Sequence, residues 1–408
     1  MSVVQRLAWR NLWRHRRRTW LTVGGMVFCN ALLVFLIGTQ LGSYGMMIDG
    51  TLGVLTGHLQ VQEERYHDEP RMRYTVPKGA ELADKLRDST GTDAIAARGT
   101  AFALASSEER SFGIQILGIQ PEYEPLVSTL PGLVSEGRYL QDNDAAEIVV
   151  GSVLARNLKV GIGDEITFLG SGRDDSFAAG VATVVGIIDS GMTDLDRSIA
   201  ELPLGYFQAV FAMETDVHSI VIKTDTLDEV APLKLAIADQ LASPTLAVLD
   251  WDQLQPGLRQ AIIADMTSAM FMYAILIILV AFSVLNTQLM SVLERTREFG
   301  VMTALGVRPG QLGRLVLLET AIMSSLGLLL GCLLGGIFTA WLSQVGIGLD
   351  GMEEAMARYN IDGRIYPQVS ALSLFAGPVV VFIGGMLAAI YPALRLHTLQ
   401  PVAAMRAV

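Results

Sequence analysis

The side chains that could carry out chemistry are few, and their spacing gives no catalytic site. A P-loop needs a lysine directly after a glycine, as in GxxxxGK[ST], and none of the five lysines follows a glycine. The five histidines are scattered without the spacing of metal ligands, and no GxSxG nucleophile motif occurs. We therefore predict no catalytic residue, no metal and no cofactor, and the chain is not expected to be its own ATPase.

Long apolar segments make up much of the remaining sequence, which is 51% hydrophobic. Four stretches contain no Asp, Glu, Lys or Arg: 19–48, 266–293, 320–349 and 365–394. Each exceeds the roughly 20 residues that a membrane-spanning helix needs. We predict transmembrane helices at 20–48, 266–293, 320–345 and 369–391. The only two cysteines, Cys29 and Cys332, lie inside these spans, so no disulfide framework is expected outside the membrane.

The charges predict which side of the membrane each connecting segment occupies. Residues 1–19 carry six arginines and no acid, and arginines also mark segment 294–319 and the tail 392–408. By the positive-inside rule these segments, and both termini, are cytoplasmic. Segment 49–265 holds 34 acids and 16 bases, a net charge of −18, and segment 346–368 is also acidic. Both are expected outside, and the acidic balance argues against nucleic-acid binding.

The predicted fold is an α-helical membrane protein with four transmembrane helices. A large extracytoplasmic α+β domain, 49–265, lies between the first and second helices, because short strand and helix patterns alternate there. Residues 1–19 are predicted to form an amphipathic helix on the inner leaflet. Gly42, Gly45, Gly50 and Gly53 predict that the first span is less stiff where it leaves the membrane, which would leave the second span as the main lever on the domain.

Segment 294–319 is the most distinctive connection in the chain. Four charged residues open it, a short apolar run at 299–307 follows, and Pro309 can begin the next helix. The run is too short to cross a bilayer, so one helix is expected to leave the membrane, break and return. Two interpretations stay open: its apolar side chains rest on lipid, or they dock into a partner's groove. The side chains concerned are Phe299, Val301, Met302, Ala304 and Leu305.

Small residues at intervals of four predict close helix contacts in the membrane. Gly38 and Gly42 lie in the first span, and Gly327, Gly331 and Gly335 lie in the third. Such spacing places the glycines on one helix face, where backbones can approach closely. The contact could form within one subunit or with a second subunit.

Three motifs together resemble a known family. The basic start LAWRNLWRHRRRT, the loop ERTREFGVMTALGV and the ending YPALRLHTLQPVAAMR resemble the FtsX/MacB/LolC superfamily of ABC transporter permeases. The order of one span, a large outer domain and three spans is also similar. The layout most resembles the lipoprotein-releasing permeases, and the outer domain would be MacB-like and periplasmic.

The resemblance implies partners and a site. Such permeases sit in the bacterial inner membrane as dimers, with a second copy or a paralogue, and bind a cytoplasmic ABC ATPase dimer that holds ATP. Movement of the helices is passed to the outer domain. The coupling helix between the second and third spans maps onto Glu294, Arg297, Glu298, Phe299, Gly300, Met302, Ala304, Leu305 and Gly306.

Three functions are compatible with this resemblance. The first is extraction of lipoproteins or other amphiphiles from the outer leaflet, with membrane lipid, a lipoprotein or a periplasmic carrier protein as partners. The second is an FtsX-like signalling module that controls an extracytoplasmic partner such as a cell-wall hydrolase. The third is a MacB-like efflux permease.

Overall fold

The computed structural model describes residues 3–14, 16–241, 243–348 and 363–398. They form two compact units. The helical unit contains the described residues up to Tyr44, Ala261–Gly348 and those from Arg364 onward. The sheet domain contains Gly45–Gln260. Each unit is described by itself below.

The helices are numbered in chain order. Their bounds are α1 (Val3–Arg14), α2 (Arg16–Leu52), α3 (Gly79–Thr90), α4 (Glu124–Val127), α5 (Ser152–Leu158), α6 (Thr193–Ser198), α7 (Leu204–Val210), α8 (Val230–Gln240), α9 (Trp251–Leu254), α10 (Pro256–Glu294), α11 (Thr296–Ala304), α12 (Pro309–Val345) and α13 (Ala371–Arg395). Short 3₁₀ turns occupy Leu130–Leu133, Leu227–Glu229 and Leu396–Thr398.

Four of these helices, α2, α10, α12 and α13, are long and apolar enough to cross a membrane. The prediction of four transmembrane helices with a large domain after the first is therefore confirmed. The helices have 37, 39, 37 and 25 residues, so all four are longer than the roughly 20 residues that cross a bilayer.

The predicted glycine joint does not interrupt α2. The helix continues through Gly42, Gly45 and Gly50 and ends at Leu52. Of the four glycines in the predicted joint, only Gly53 therefore lies beyond the helix, and the lower stiffness stays a prediction. A helix end with bonded backbone groups resists bending more than a glycine-rich loop does.

The glycines of the third span meet α2 of the same chain. An added Cβ would lie 2.7 Å from Met26 Cβ at Gly327, 2.4 Å from Asn30 Cβ at Gly331 and 2.8 Å from Ala31 Cα at Gly335. Distances below 3 Å leave no room for a methyl group. These glycines therefore allow α12 to pack closely against α2 within one subunit.

The two glycines of the first span face other parts of the helical unit. An added Cβ at Gly38 would lie 2.8 Å from Thr339 Cγ2 of α12. At Gly42 it would lie 2.1 Å from the carbonyl oxygen of Tyr366, in the extended segment that precedes α13. Gln368 N also donates a hydrogen bond of 2.8 Å to Gly38 O. Both glycines thus let backbone lie directly against α2.

Ten strands form the sheet of the sheet domain. Their bounds are β1 (Leu59–Glu63), β2 (Ile95–Ser106), β3 (Ser111–Ile119), β4 (Val134–Gly137), β5 (Glu147–Gly151), β6 (Glu165–Ser171), β7 (Phe177–Ile188), β8 (Ile199–Pro203), β9 (Ser219–Ile222) and β10 (Leu246–Asp250). Their order is β10-β1-β9-β2-β3-β8-β5-β7-β4, and β6 pairs with both β2 and β7. A separate pair, β11 (Ile347–Gly348) and β12 (Arg364–Ile365), belongs to the helical unit.

Alternation along β2 separates a buried face from an exposed face. Ala101, Ala103 and Ala105 lie in the core, whereas Phe102 and Leu104 point to solvent. This period of two is the one that a pleated strand imposes on its side chains. The large residues here are on the outside and the small ones inside, which reverses the usual preference.

The segment after α2 is held firmly within the sheet domain. Gly57 N donates to Leu52 O at 2.9 Å, and Thr129 N donates to Gly53 O at 2.8 Å. Ser128 Oγ donates to Val54 O at 2.6 Å. These bonds satisfy backbone groups that a helix end would otherwise leave unpaired.

Next to this segment lies a buried cluster of charged side chains. Arg98 donates to both carboxylate oxygens of Glu124, with an Nε–Oε2 distance of 3.1 Å, and to the carbonyl oxygen of Leu55. Tyr139 Oη donates to Glu201 Oε2 at 2.7 Å, and Glu201 is fully buried. Burial, and then the charge of Glu124, raise the pKa of Glu201 to about 8.

The raised pKa of Glu201 predicts that stability falls as the pH rises. The unfolded carboxyl loses its proton near its ordinary value of 4.5, whereas the folded one keeps it to about 8. The contribution of Glu201 is therefore full below pH 4.5 and is lost between pH 4.5 and about 8, at roughly 1.4 kcal/mol per pH unit.

We expect Glu201→Gln to flatten this dependence and to raise the melting temperature at pH 8. The measurement is thermal unfolding of the full chain in detergent at pH 5, 7 and 8. The control is Glu165→Gln, which removes an exposed carboxylate from β6 of the same domain. Equal pH dependence in wild type and Glu201→Gln would show that Glu201 is ionised in the folded state.

Candidate coupling site

The predicted break between the second and third spans is a short helix, α11. Arg295 separates it from α10 with φ −102° and ψ 10°. At the other end Gly306 adopts φ +93°, a conformation that side chains with a Cβ rarely adopt. Arg308 is extended and Pro309 is the first residue of α12. Gly306 thus turns the chain before Val307, and Pro309 starts α12 shortly after it. Together they fix the direction in which α12 returns.

One face of α11 packs against the rest of the helical unit. Phe299 is only 1% exposed, Gly300 is buried, and Met302 is half-buried beside them. The expectation that Phe299 faces a partner or lipid was therefore wrong. Phe299 belongs to a core cluster whose other buried members come from α1, α10, α12 and the turn after α13: Ala8, Val292, Leu312, Leu315, Val316 and Leu396.

The opposite face of α11 is exposed. It consists of Arg297, Val301, Ala304 and Leu305, which follow the i, i+4, i+7, i+8 spacing of one helical face. Val301 is 45% exposed and Leu305 is 80% exposed. We call these four residues the exposed face of α11. It is a short apolar ridge with one positive charge at its start, and Gly306 lies exposed at its end.

A buried ion pair holds this corner together. Arg295 Nη1 donates to Glu319 Oε1 at 3.1 Å, and both side chains are less than 10% exposed. Asn11 Nδ2 of α1 donates to the same Glu319 oxygen at 2.8 Å. Arg295 also contacts Glu298, with Nε–Oε2 3.3 Å, and its guanidinium lies 4.9 Å from the Phe299 ring centroid. Arg295 therefore joins the start of α11 to Glu319, about three turns into α12.

The first helix, α1, docks on this corner. Ala8 and Leu12 are buried against α12 residues, and Arg14 Nη1 lies 3.1 Å from Glu298 Oε1. Arg18 of α2 pairs with Glu294 at 2.7 Å. The prediction that α1 rests on the inner leaflet is thus incomplete, because the apolar face of α1 packs on protein. Trp9 and Trp13 point outward and meet edge to face, with ring centroids 5.9 Å apart.

Sequence reasoning missed Asn11, the burial of Arg295 and the role of Glu319. The boundary of the third span was placed directly after Glu319, at the start of its charge-free run. The available signal was Glu319 itself. This acid directly precedes a charge-free run and lies within reach of Arg295, which precedes α11. A buried acid needs a partner, so its position beside an apolar helix could have indicated an ion pair.

A second polar cluster joins α2 to α10 inside the helical unit. Tyr44 Oη donates to Asp265 Oδ2 at 2.7 Å, and Gln40 Nε2 donates to the same oxygen at 3.2 Å. Tyr273 Oη donates to Gln40 Oε1 at 2.6 Å. The two helices that flank the sheet domain in sequence are therefore tied together near the ends that lead to it.

Among the described residues, no group of three or more His, Cys, Asp or Glu side chains is arranged to hold a metal ion. Cys29 is buried and Cys332 is half-buried, and both are free thiols. What the corner presents is the apolar ridge of α11, held in place by buried packing and bordered by charged side chains.

Comparison with known families agrees with this arrangement. Residues 19–240 match the MacB-like periplasmic core domain, which is more than half of the 408 residues. Residues 270–401 match the FtsX-like permease C-terminal family, and they include α11 and its surroundings. The chain belongs to the FtsX/MacB/LolC family of ABC transporter permeases. The permease is a multi-pass protein of the bacterial inner membrane, and the sheet domain is its periplasmic domain.

The curated relatives include lipoprotein-releasing proteins and macrolide-export proteins. The lipoprotein-releasing system transmembrane protein LolC of Xylella fastidiosa is 24% identical over 73% of this chain and 74% of its own. LolE of Haemophilus influenzae is 25% identical over 73% of this chain and 74% of its own. The macrolide export ATP-binding/permease protein MacB 1/2 of Paracoccus denitrificans is 24% identical over 98% of this chain and 58% of its own.

A solved structure is also similar. The periplasmic region of MacB from Actinobacillus actinomycetemcomitans covers 51% of this chain and 94% of its own, at 15% identity and a TM-score of 0.38.

Proposed function

We propose that this permease couples ATP hydrolysis by a separate cytoplasmic ABC ATPase dimer to movement of its periplasmic sheet domain. It works with a second permease copy or a paralogue, and both termini are cytoplasmic. The chain itself is not an enzyme and needs no cofactor of its own, since ATP is bound by the partner. The cargo is a lipoprotein or another amphiphile, taken from the outer leaflet of the inner membrane.

The exposed face of α11 is the observation that carries this proposal. It is apolar, it lies between two membrane helices, and its base is fixed by buried packing around Phe299. A helix whose apolar residues are exposed on one face can dock into a groove through i, i+4, i+7 anchors. Because α11 is packed firmly on α1, α10 and α12, a push on the exposed face moves those helices together.

The cluster of Gln40, Tyr44, Asp265 and Tyr273 supports a shared movement of α2 and α10. A hinge in one helix alone would have to break its hydrogen bonds to Asp265. Beyond Leu52 the chain is fixed by backbone bonds within the sheet domain. We therefore replace the hypothesis that the second span is the main lever with one in which both helices transmit the motion.

The alignments favour two cargo classes. Lipoprotein release is supported by LolC and LolE relatives that match most of their own length, and efflux is supported by a MacB relative that matches nearly all of this chain. We favour lipoprotein release because the chain covers 74% of LolC but only 58% of MacB. An FtsX-like signalling role has no separate observation in its support.

The test is reconstitution of the full chain with each ABC ATPase from the same genome that lacks a permease domain of its own. The proteins are purified together, placed in lipid nanodiscs and assayed for ATP hydrolysis, with a triacylated lipoprotein or a macrolide added. We expect a stable complex whose ATPase rate changes with the lipoprotein and not with the macrolide. Absence of a complex would contradict the proposal, and a response to the macrolide alone would favour efflux.

A further inference from the structure

The sheet domain carries an apolar patch on the solvent face of its sheet. The patch consists of Phe102 and Leu104 on β2, Leu169 on β6, and Phe177 and Val181 on β7. Phe102 is 65% exposed and Phe177 is 77% exposed, while Leu104 and Val181 are each 45% exposed. These values are high for large apolar side chains in a domain with its own core. We call these five residues the sheet patch.

Strand register brings the members of the sheet patch together. Leu104 pairs with Leu169, and Leu169 pairs with Ala179 of β7. Phe177 pairs with Ser171 at one end of β6, and Val181 pairs with Thr167 toward the other. Strands lie about 4.8 Å apart and alternate residues about 6.8 Å apart, so the patch is roughly 10 Å wide and 14 Å long.

The interior does not need these side chains. The buried residues on the same three strands, such as Ala103, Phe168 and Ala182, already form the core on the opposite face. Serine or threonine would satisfy the strand preference at an exposed position equally well. Exposed apolar side chains scattered singly are ordinary surface, whereas a contiguous cluster of them points to an interaction site.

Both ends of the sheet patch are acidic. The β6–β7 turn next to Phe177 carries exposed Asp174 and Asp175, while the neighbouring Arg173 is paired with Asp216 at 3.0 Å. At the other end are three exposed acids, Glu108, Glu109 and Glu165, of which Glu109 is paired with Lys159. Two exposed bases, Lys159 and Arg110, also lie there, and Arg110 Nη1 donates to Asn157 O at 3.2 Å. The rim therefore has a negative balance.

This charge distribution selects among the possible occupants. An anionic lipid surface would be repelled by the acids at both ends. A second copy meeting the same patch in a two-fold contact would bring two acidic rims together. A different protein with an apolar centre and a rim of lysine or arginine would match both features of the surface.

We propose that the sheet patch docks an extracytoplasmic protein that has an apolar face bordered by basic residues. The proposal rests on the proposed function only in placing the sheet domain outside the cytoplasm. The patch supplies the dry centre of the contact, and the acidic rim guides the partner and fixes its orientation. Phe102 and Phe177 are the anchors, because exposed aromatic side chains contribute most when a partner buries them.

The test uses photocross-linking of the full chain in the cells that make it. The photoreactive amino acid p-benzoylphenylalanine replaces Phe102, Phe177 or, as the control, Leu235 of α8. Leu235 is a matched control because it is 69% exposed on the same domain. Cross-linked peptides are identified by mass spectrometry. We expect one partner protein at both test positions, attached through an apolar peptide with neighbouring Lys or Arg, at least tenfold above the control.

Charge reversal supplies the second arm. Asp174→Lys with Asp175→Lys is expected to lower the cross-link at position 177 about tenfold. Asp225→Lys with Asp228→Lys, two exposed acids elsewhere on the domain, should leave it unchanged. Cross-links to a second copy, to lipid, or at equal yield from position 235 would overturn the proposal, as would indifference to Asp174 and Asp175. ATPase stimulation, assayed in parallel, reports separately on the proposed coupling function.

Discussion

Replacement of Leu305 by aspartate is expected to abolish the effect of the permease on its ATPase while the permease stays folded. Leu305 is 80% exposed and lies at the end of the exposed face of α11, so a carboxylate there costs little in the free chain. In the docked complex the same carboxylate would lose its water without gaining a partner. Such a change costs about 2–5 kcal/mol, or about 30-fold or more in affinity.

The measurement is ATPase binding and ATP hydrolysis by the reconstituted pair. Leu235→Asp is the matched control, because it places the same charge at a similarly exposed leucine in the sheet domain. Phe299→Asp is a poor test of coupling, since a charge in that buried cluster would disrupt the corner itself. Unchanged binding and hydrolysis with Leu305→Asp would mean that the exposed face of α11 rests on lipid.

The sequence was sufficient for features that depend on local pattern. Four charge-free stretches predicted the four long helices because a bilayer excludes charged side chains over about 20 residues. The break at 306–309 was predictable because glycine and proline act on the backbone directly. The interval of four between Gly327, Gly331 and Gly335 indicated a close contact but could not identify α2 as the neighbour.

Features that depend on distant packing were not predictable in this way. Residues 299–305 are mostly apolar, so their order does not show which of them is buried. Phe299 is buried because α1 and the turn after α13 pack around it. Those elements lie nearly 300 residues before it and about 100 residues after it in the chain. The sheet patch was equally hidden, because the alternation in β2 does not say which face is the core. Alanines on the buried face leave the larger Phe102 and Leu104 outside.

The largest loss of stability is expected from Arg295→Met. The substitution keeps the aliphatic length of the side chain but removes the cation that lies 3.1 Å from Glu319, which is 4% exposed. Asn11 would then be the remaining donor to a buried carboxylate. Removing one partner of a buried ion pair costs about 3–5 kcal/mol because the other charge stays desolvated. We expect a clear fall in the melting temperature of the full chain in nanodiscs and loss of ATPase binding.

Two further variants separate the ion pair from general damage. Arg18→Met is the matched control, because Arg18 and Glu294 form a partly exposed pair at 2.7 Å whose removal should cost about 0–1 kcal/mol. The double variant Arg295→Met with Glu319→Leu removes both charges, so most of the lost stability should return. If Arg295→Met melts at the same temperature as Arg18→Met, the buried pair does not hold the corner. If the double variant recovers nothing, the contacts that it still lacks are the larger contribution. These are the packing of Arg295 on the Phe299 ring, the Arg295–Glu298 ion pair and the hydrogen bond from Asn11 to Glu319.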